Sequence, residues 1–127
     1  MELLESGQMY LETILVLSKN MTAVRAIDVS KYLNYSKPSV SRAMGLLKEG
    51  GYIKIDANGY ITLTQDGKEY AKKVYERHNV LHELLKIIGV SEETALNDAC
   101  KIEHVISEET FSCLKEYVKD KTKNGSV

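Results

Sequence analysis

A chain of 127 residues with a formal net charge of −1, 43% hydrophobic and 28% charged, is sized for one compact unit or a small domain with an appendage. Its composition is that of a soluble globular protein. No apolar run approaches the ~18 residues a membrane helix needs, and the acidic opening Met1-Glu2-Leu3-Leu4-Glu5 is unlike a secretory signal. Two cysteines, Cys100 and Cys113, are too few for a disulfide framework. These features predict a cytoplasmic protein with no membrane partner.

The net charge hides an asymmetry. From Lys19 to Lys54 seven basic residues face only Asp28 and Glu49, a balance of +5. From Val74 to Val127 seven basic and ten acidic residues give −3. A basic and an acidic half fit a DNA-contacting module over 1–73 joined to a cation-binding or dimerising one over 74–127. An uneven but idle surface would show the same pattern.

Along the chain, Leu3, Leu4, Met9, Tyr10, Ile14, Leu15 and Leu17 recur at helical spacing and predict a first helix from Met1 to Asn20. Met9 and Glu12 share a side of it, and on the residues alone a methionine there reads first as core filler. Thr22 is the expected cap of a second helix, Ala23 to Leu33. Ser36 is the expected cap of a third, Lys37 to Glu49, with Pro38 tolerated in its first turn. Val40, Ala43, Met44 and Leu47 form its inward stripe, while Lys37, Ser39, Ser41, Arg42 and Lys48 face outward. Two short helices joined tightly are a helix-turn-helix pattern, and the second is the groove reader.

Gly50-Gly51 ends the reader. Tyr52–Ile55 and Tyr60–Leu63 alternate as strands around Asp56-Ala57-Asn58-Gly59, a hairpin signal that predicts a wing. A long helix runs from Thr64 to about Ile88 and is ended by Gly89. It carries His78 and His82 four residues apart, a spacing that can chelate one metal or mark a rim histidine pair. Ser91 is the expected cap of a helix over Glu92–Val105, and Ser107 of a last one, Glu108 to about Asp120, with residues beyond it frayed. Phe111, Leu114, Tyr117 and Val118 form one apolar stripe on the last helix, which predicts a dimer seam.

The stretch Cys100-Lys101-Ile102-Glu103-His104 organises the second half. Residues three and four apart share a helical face, so a thiol, a carboxylate and an imidazole, all metal-ligand types, point to one side. Taken with the helix-turn-helix pattern, the expectation is a metal-gated DNA-binding repressor.

This order of parts resembles the diphtheria toxin repressor and manganese transport regulator family. The residues that carry the resemblance are Met9-Tyr10-Leu11-Glu12, Ser36-Lys37-Pro38-Ser39-Val40-Ser41, Leu63-Thr64 with Gly67, Arg77-His78, Ile87-Ile88-Gly89-Val90 and Asn97 to His104. The resemblance implies a mainly α fold: a winged helix-turn-helix domain (1–73) and a helical metal-binding and dimerisation domain (74–127); the SH3-like third domain of the longer iron-type members is not expected in this sequence. It implies a homodimer that binds operator DNA when loaded with divalent iron or manganese. It makes Met9 a ligand, with Cys100, Glu103 and His104, in a primary site of the iron type. The manganese type would have an aspartate and a glutamate in place of Met9 and Cys100. A second, ancillary site would draw on His78, His82 and Glu12. His82 stands where a carboxylate is more usual, and Leu96 where the iron type offers a further histidine.

A thioether, thiolate, carboxylate and imidazole make a borderline-soft set that suits Fe2+ better than Mn2+, and also admits Zn2+, Co2+ or Ni2+ in vitro. Mn2+ is the alternative. In the reader, Ser36, Ser39 and Ser41 are expected to meet phosphates or base edges, Arg42 a guanine, and Lys37, Lys31 and Lys48 phosphates, with Pro38 shaping the helix start. An enzyme built on Cys100 and His104 lacks an oxyanion-forming loop and a third group to orient the base, so no organic substrate is expected. Two further readings stay open: a metal-independent regulator sensing oxidants through Cys100, and a closed structural zinc site.

Overall fold

A computed structural model describes residues 5–123 and contains six helices and one hairpin. Expectations for Met1–Leu4 and for residues 124–127 lie outside the described residues. The chain divides into two compact units between Lys73 and Val74, inside the fourth helix.

The first unit comprises α1 (Glu5–Asn20), α2 (Ala26–Leu33), α3 (Lys37–Glu49), β1 (Ile53–Ile55), β2 (Ile61–Leu63) and the start of α4 (Gln65–Ile87). Leu11 and Ile14 of α1, Val29 of α2, Val40 of α3 and Ile53 of β1 are buried together in one apolar core. α3 has the bounds its sequence predicts. Ser36 Oγ accepts the Ser39 N–H at 3.3 Å, and Pro38 sits in the first turn, where its missing N–H breaks no helical bond. Val40, Met44 and Leu47 face the core.

α2 starts later than its sequence predicts. Thr22 caps nothing. Val24 instead extends alongside the hairpin and pairs with Ile61, whose N–H donates to the Val24 carbonyl at 2.7 Å. A β-branched residue suits that extended pairing. The helix then begins at Ala26, with the Arg25 N–H donating to Asp28 Oδ2 at 2.9 Å.

In the hairpin, Ile53 pairs with Leu63 and Ile55 with Ile61. Asn58-Gly59 does not form the two-residue turn that dipeptide favours. Asp56 Oδ1 accepts the N–H groups of both Asn58 and Tyr60 at 2.9 Å, and only Gly59 of the loop is left-handed (φ 82°). Beyond the wing, Thr64 Oγ donates to the Gly51 carbonyl at 2.6 Å and accepts the Gly67 N–H at 3.1 Å. A Cβ at Gly67 would lie 2.0 Å from the Tyr52 carbonyl oxygen, so the start of α4 needs glycine there.

The second unit comprises the rest of α4, α5 (Glu92–Ile102) and α6 (Glu108–Lys123). Gly89, at φ 102°, closes α4 with the Val90 N–H donating back to the Leu85 carbonyl at 2.9 Å. Ser91 holds the cap position of α5 without a side-chain bond, whereas Ser107 Oγ accepts the Thr110 N–H at 3.1 Å. α5 stops at Ile102, three residues before its predicted end, and α6 runs three residues past its own. The predicted dimer stripe divides. Phe111 and Val118 are already buried within the chain, whereas Tyr117 is exposed. Among the described residues no helix is long and apolar enough to cross a membrane.

Candidate metal centre and reader helix

The end of α5 sets the candidate metal-ligating residues. Cys100 is still helical, Glu103 is the C-cap, and His104 lies in the turn that follows. They do not share one continuous helical face, as their spacing predicts. The reason is a long-range partner. Arg77 of α4 donates through Nη1 to the Glu103 carbonyl at 3.3 Å and the Ile106 carbonyl at 2.8 Å, and through Nη2 to Glu108 Oε1 at 2.6 Å. Its guanidinium also lies 5.3 Å from the centre of the Phe111 ring. A cation that takes up carbonyls left open at a helix C-terminus favours ending the helix there.

The turn aims the Glu103 carboxylate inward. Glu103 is fully buried, and its Oε2 lies 2.8 Å from His78 Nδ1. Cys100 Sγ lies 3.8 Å from the same nitrogen. His104 Nε2 lies 3.3 Å from Glu103 Oε1 but is not aligned for a hydrogen bond, so Oε1 is a buried oxygen with no donor among the described residues. The Cys100 sulfur and the Glu103 carboxylate hold the His78 imidazole protonated, its pKa pushed up to about 10 against the opposing effect of burial.

His78 therefore belongs to the Glu103 cluster, although its sequence spacing groups it with His82. The two rings stack with centroids 6.3 Å apart. His82 turns to a different carboxylate: Nε2 is 3.1 Å from Glu92 Oε1, whose other oxygen Lys86 holds at 3.2 Å. Met9 and Glu12 lie on α1 in the first unit. The Met9 thioether accepts the Tyr35 hydroxyl at 3.6 Å.

These residues fit a divalent cation. A buried carboxylate oxygen without a donor is costly in a folded protein, and a thiol and two imidazoles adjoin that carboxylate. The His78 imidazolium lends positive charge to the same carboxylate, as a cation would. Arg77, which the sequence offers only as the neighbour of a histidine, is the residue that sequence reasoning missed. Its role depends on carbonyls about thirty residues away.

On α3, Lys37, Pro38, Ser39, Ser41, Arg42 and Lys48 are all exposed, as is Lys31 at the end of α2. Ser36 Oγ is engaged with the Ser39 hydroxyl at 2.8 Å as well as with the cap. Leu46, at 64% exposure, adds an apolar group to this outward face.

Two family models match the chain: the N-terminal DNA-binding domain of the iron dependent repressors over residues 2–61, and their metal binding and dimerisation domain over residues 64–125. An HTH-type transcriptional regulator of Methanocaldococcus jannaschii is 34% identical over 122 residues, covering 92% of this chain and 98% of that protein. The iron-dependent repressor IdeR of Mycobacterium tuberculosis is 32% identical over 110 residues, covering 85% of this chain and 47% of IdeR. A manganese-dependent transcriptional repressor in complex with manganese shares the fold, with a TM-score of 0.82 at 22% identity over 88% of this chain and 52% of its own. Matched along nearly its whole length by the DNA-binding and the metal-binding models of these repressors, the chain belongs to the diphtheria toxin repressor and manganese transport regulator family of metal-dependent transcriptional repressors, which are not enzymes.

Proposed function

We propose that the chain is an iron-responsive repressor of metal-ion homeostasis genes, acting in the cytoplasm as a homodimer on double-stranded operator DNA. The observation that carries the choice of iron is the Cys100 sulfur, 3.8 Å from His78 Nδ1 beside the buried Glu103 carboxylate. Thiolate ligands favour Fe2+ and Zn2+ over Mn2+.

Met9, Cys100, Glu103 and His104 hold the primary ion, with His78 beside them. Glu12 and His82 are the ancillary donors. A bound ion would supply a fixed double positive charge to the Glu103 carboxylate. Met9 precedes the reader in the sequence and the other ligands follow it, so ligation by both segments makes DNA binding depend on metal. Arg42 reads base edges from α3 together with Ser39 and Ser41, while Lys31, Lys37 and Lys48 meet phosphates. Exposed Ile88, Leu96 and Val105 of the second unit are the apolar surface that the homodimer covers.

The chain's own ligands test the metal. Replacing Met9 with Asp and Cys100 with Glu together leaves Glu103 and His104 and gives an oxygen and nitrogen set. The double variant is expected to bind operator at lower Mn2+ than the parent and to respond less to Fe2+, with each single variant mainly impaired. An unchanged metal ranking in the double variant would place selectivity elsewhere. Manganese remains the second reading, favoured by the Glu103 carboxylate with two imidazoles within reach, a set that Mn2+ accepts.

A further inference from the structure

Tyr35 has no part in the machinery described above. It stands between α2 and the reader helix, one residue before the Ser36 cap. Its backbone is clamped. Asn34 before it is left-handed (φ 58°), the Tyr35 N–H donates to the Ser30 carbonyl at 3.2 Å, and the buried Ser30 hydroxyl donates to the Tyr35 carbonyl at 2.6 Å. The ring meets Tyr10 edge-on at 6.1 Å, and Tyr10 is part of the core of this unit. From this fixed position the hydroxyl donates to Met9 Sδ at 3.6 Å.

A phenol that is 42% exposed can give its proton to water, which is the stronger acceptor. A thioether is a weak one. The hydroxyl lies on sulfur because the clamp and the Tyr10 contact aim it there. Sulfur has two lone pairs. A hydrogen bond to one orients the thioether and leaves the other for a metal. A continuous path then runs from Met9 through Tyr35 to Ser36 and the first turn of α3, all within one unit.

We infer that Tyr35 is a positioning residue that couples ligation at Met9 to the reader helix. It directs the sulfur, and a change at the sulfur on coordination reaches the cap of α3 through the Tyr35 backbone. This rests on the proposal that Met9 is a metal ligand.

The test compares the parent, Tyr35→Phe, Met9→Leu and the double variant. Phenylalanine keeps the ring against Tyr10 and removes only the donor. The probe is Co2+, whose absorption reports binding directly, with a DNA duplex selected from random sequence by the cobalt-loaded parent. Two numbers are read for each protein: cobalt affinity without DNA, and the factor by which cobalt raises DNA affinity. Linkage requires that factor to equal the one by which DNA raises cobalt affinity, so it can be measured both ways.

Met9→Leu is expected to weaken cobalt binding. Tyr35→Phe is expected to lower the coupling factor about fivefold, the scale of one hydrogen bond, without changing DNA affinity in the absence of metal. In the Met9→Leu background Tyr35→Phe should change nothing further. If Met9→Leu weakens cobalt binding but Tyr35→Phe keeps the parent's coupling factor, the inference fails and the ligand reading stands. An equal loss of DNA affinity with and without cobalt overturns it by making Tyr35 a phosphate contact. Parental cobalt affinity in Met9→Leu removes Met9 from the ligand set and this inference with it.

Discussion

The reader unit and the metal-binding unit solve opposite problems with polar residues. On α3 the polar side chains lie in water, with Lys37, Ser39, Ser41, Arg42 and Lys48 all exposed. The hydroxyls of the cap residue Ser36 and of Ser39 bond to each other within the first turn. In the second unit a carboxylate is fully buried, and one imidazolium and a misaligned second imidazole answer it. A surface that waits for DNA can leave its charges solvated. A site that must sense metal has to hold charge where water cannot neutralise it, so that an arriving cation changes the balance.

Glu103→Gln breaks this contrast most severely. The side chain keeps its shape but loses the charge that both His78 and a metal need. Metal affinity is expected to fall about 100-fold or more, since even loss of a group that only supports a ligand costs 10–100-fold. Metal-dependent operator binding should disappear while weak, salt-sensitive binding to random DNA remains, because the basic reader is untouched. Cobalt titration and gel-shift measurements check both halves.

Arg42→Ala breaks the other side. If Arg42 reads a guanine, it should cost about 1–3 kcal/mol on the operator and much less on random DNA, with metal affinity unchanged. An equal loss on both DNAs would reassign Arg42 to the phosphate backbone.

The smallest effect sharpens the comparison through pH. His78 has a folded pKa raised to about 10 from 6.5. Its contribution to the stability of the metal-free chain is therefore complete below about 6.5 and is lost as pH rises through about 10. Metal affinity runs the other way. A bound ion displaces the His78 proton, so that group alone makes affinity rise up to about tenfold per pH unit below about 10, and the proton lost from the Cys100 thiol on ligation adds to the rise; the proton release is measurable by calorimetry in buffers of different ionisation enthalpy. Binding of random DNA by the metal-free reader should show no such dependence.

Legibility follows the same division. α3 is readable because its signals are local: Ser36 and Pro38 start it, and an inward stripe at helical spacing shapes it. The start of α2 is not, because Val24 answers to Ile61 on the returning strand of the wing, beyond the reader in the sequence. The end of α5 lies short of its helical pattern for the same reason, since Arg77 takes carbonyls 26 and 29 residues away. Helical spacing brings Cys100, Glu103 and His104 into one neighbourhood, but it pairs His78 with His82. Only the tertiary fold directs His78 to Glu103 and His82 to Glu92. The dimer stripe failed in part because periodicity cannot tell a face that covers the chain's own core from one that covers a partner. Phe111 and Val118 turn to the former.

Operator binding by the chelator-stripped chain, titrated anaerobically in turn with Fe2+, Mn2+ and Zn2+, tests the central claim most directly. The account predicts no operator-specific binding without metal, and its appearance at lower free Fe2+ than Mn2+. Specific binding by the stripped protein would contradict metal gating itself, and a response to Mn2+ at the lower concentration would contradict the assignment of iron.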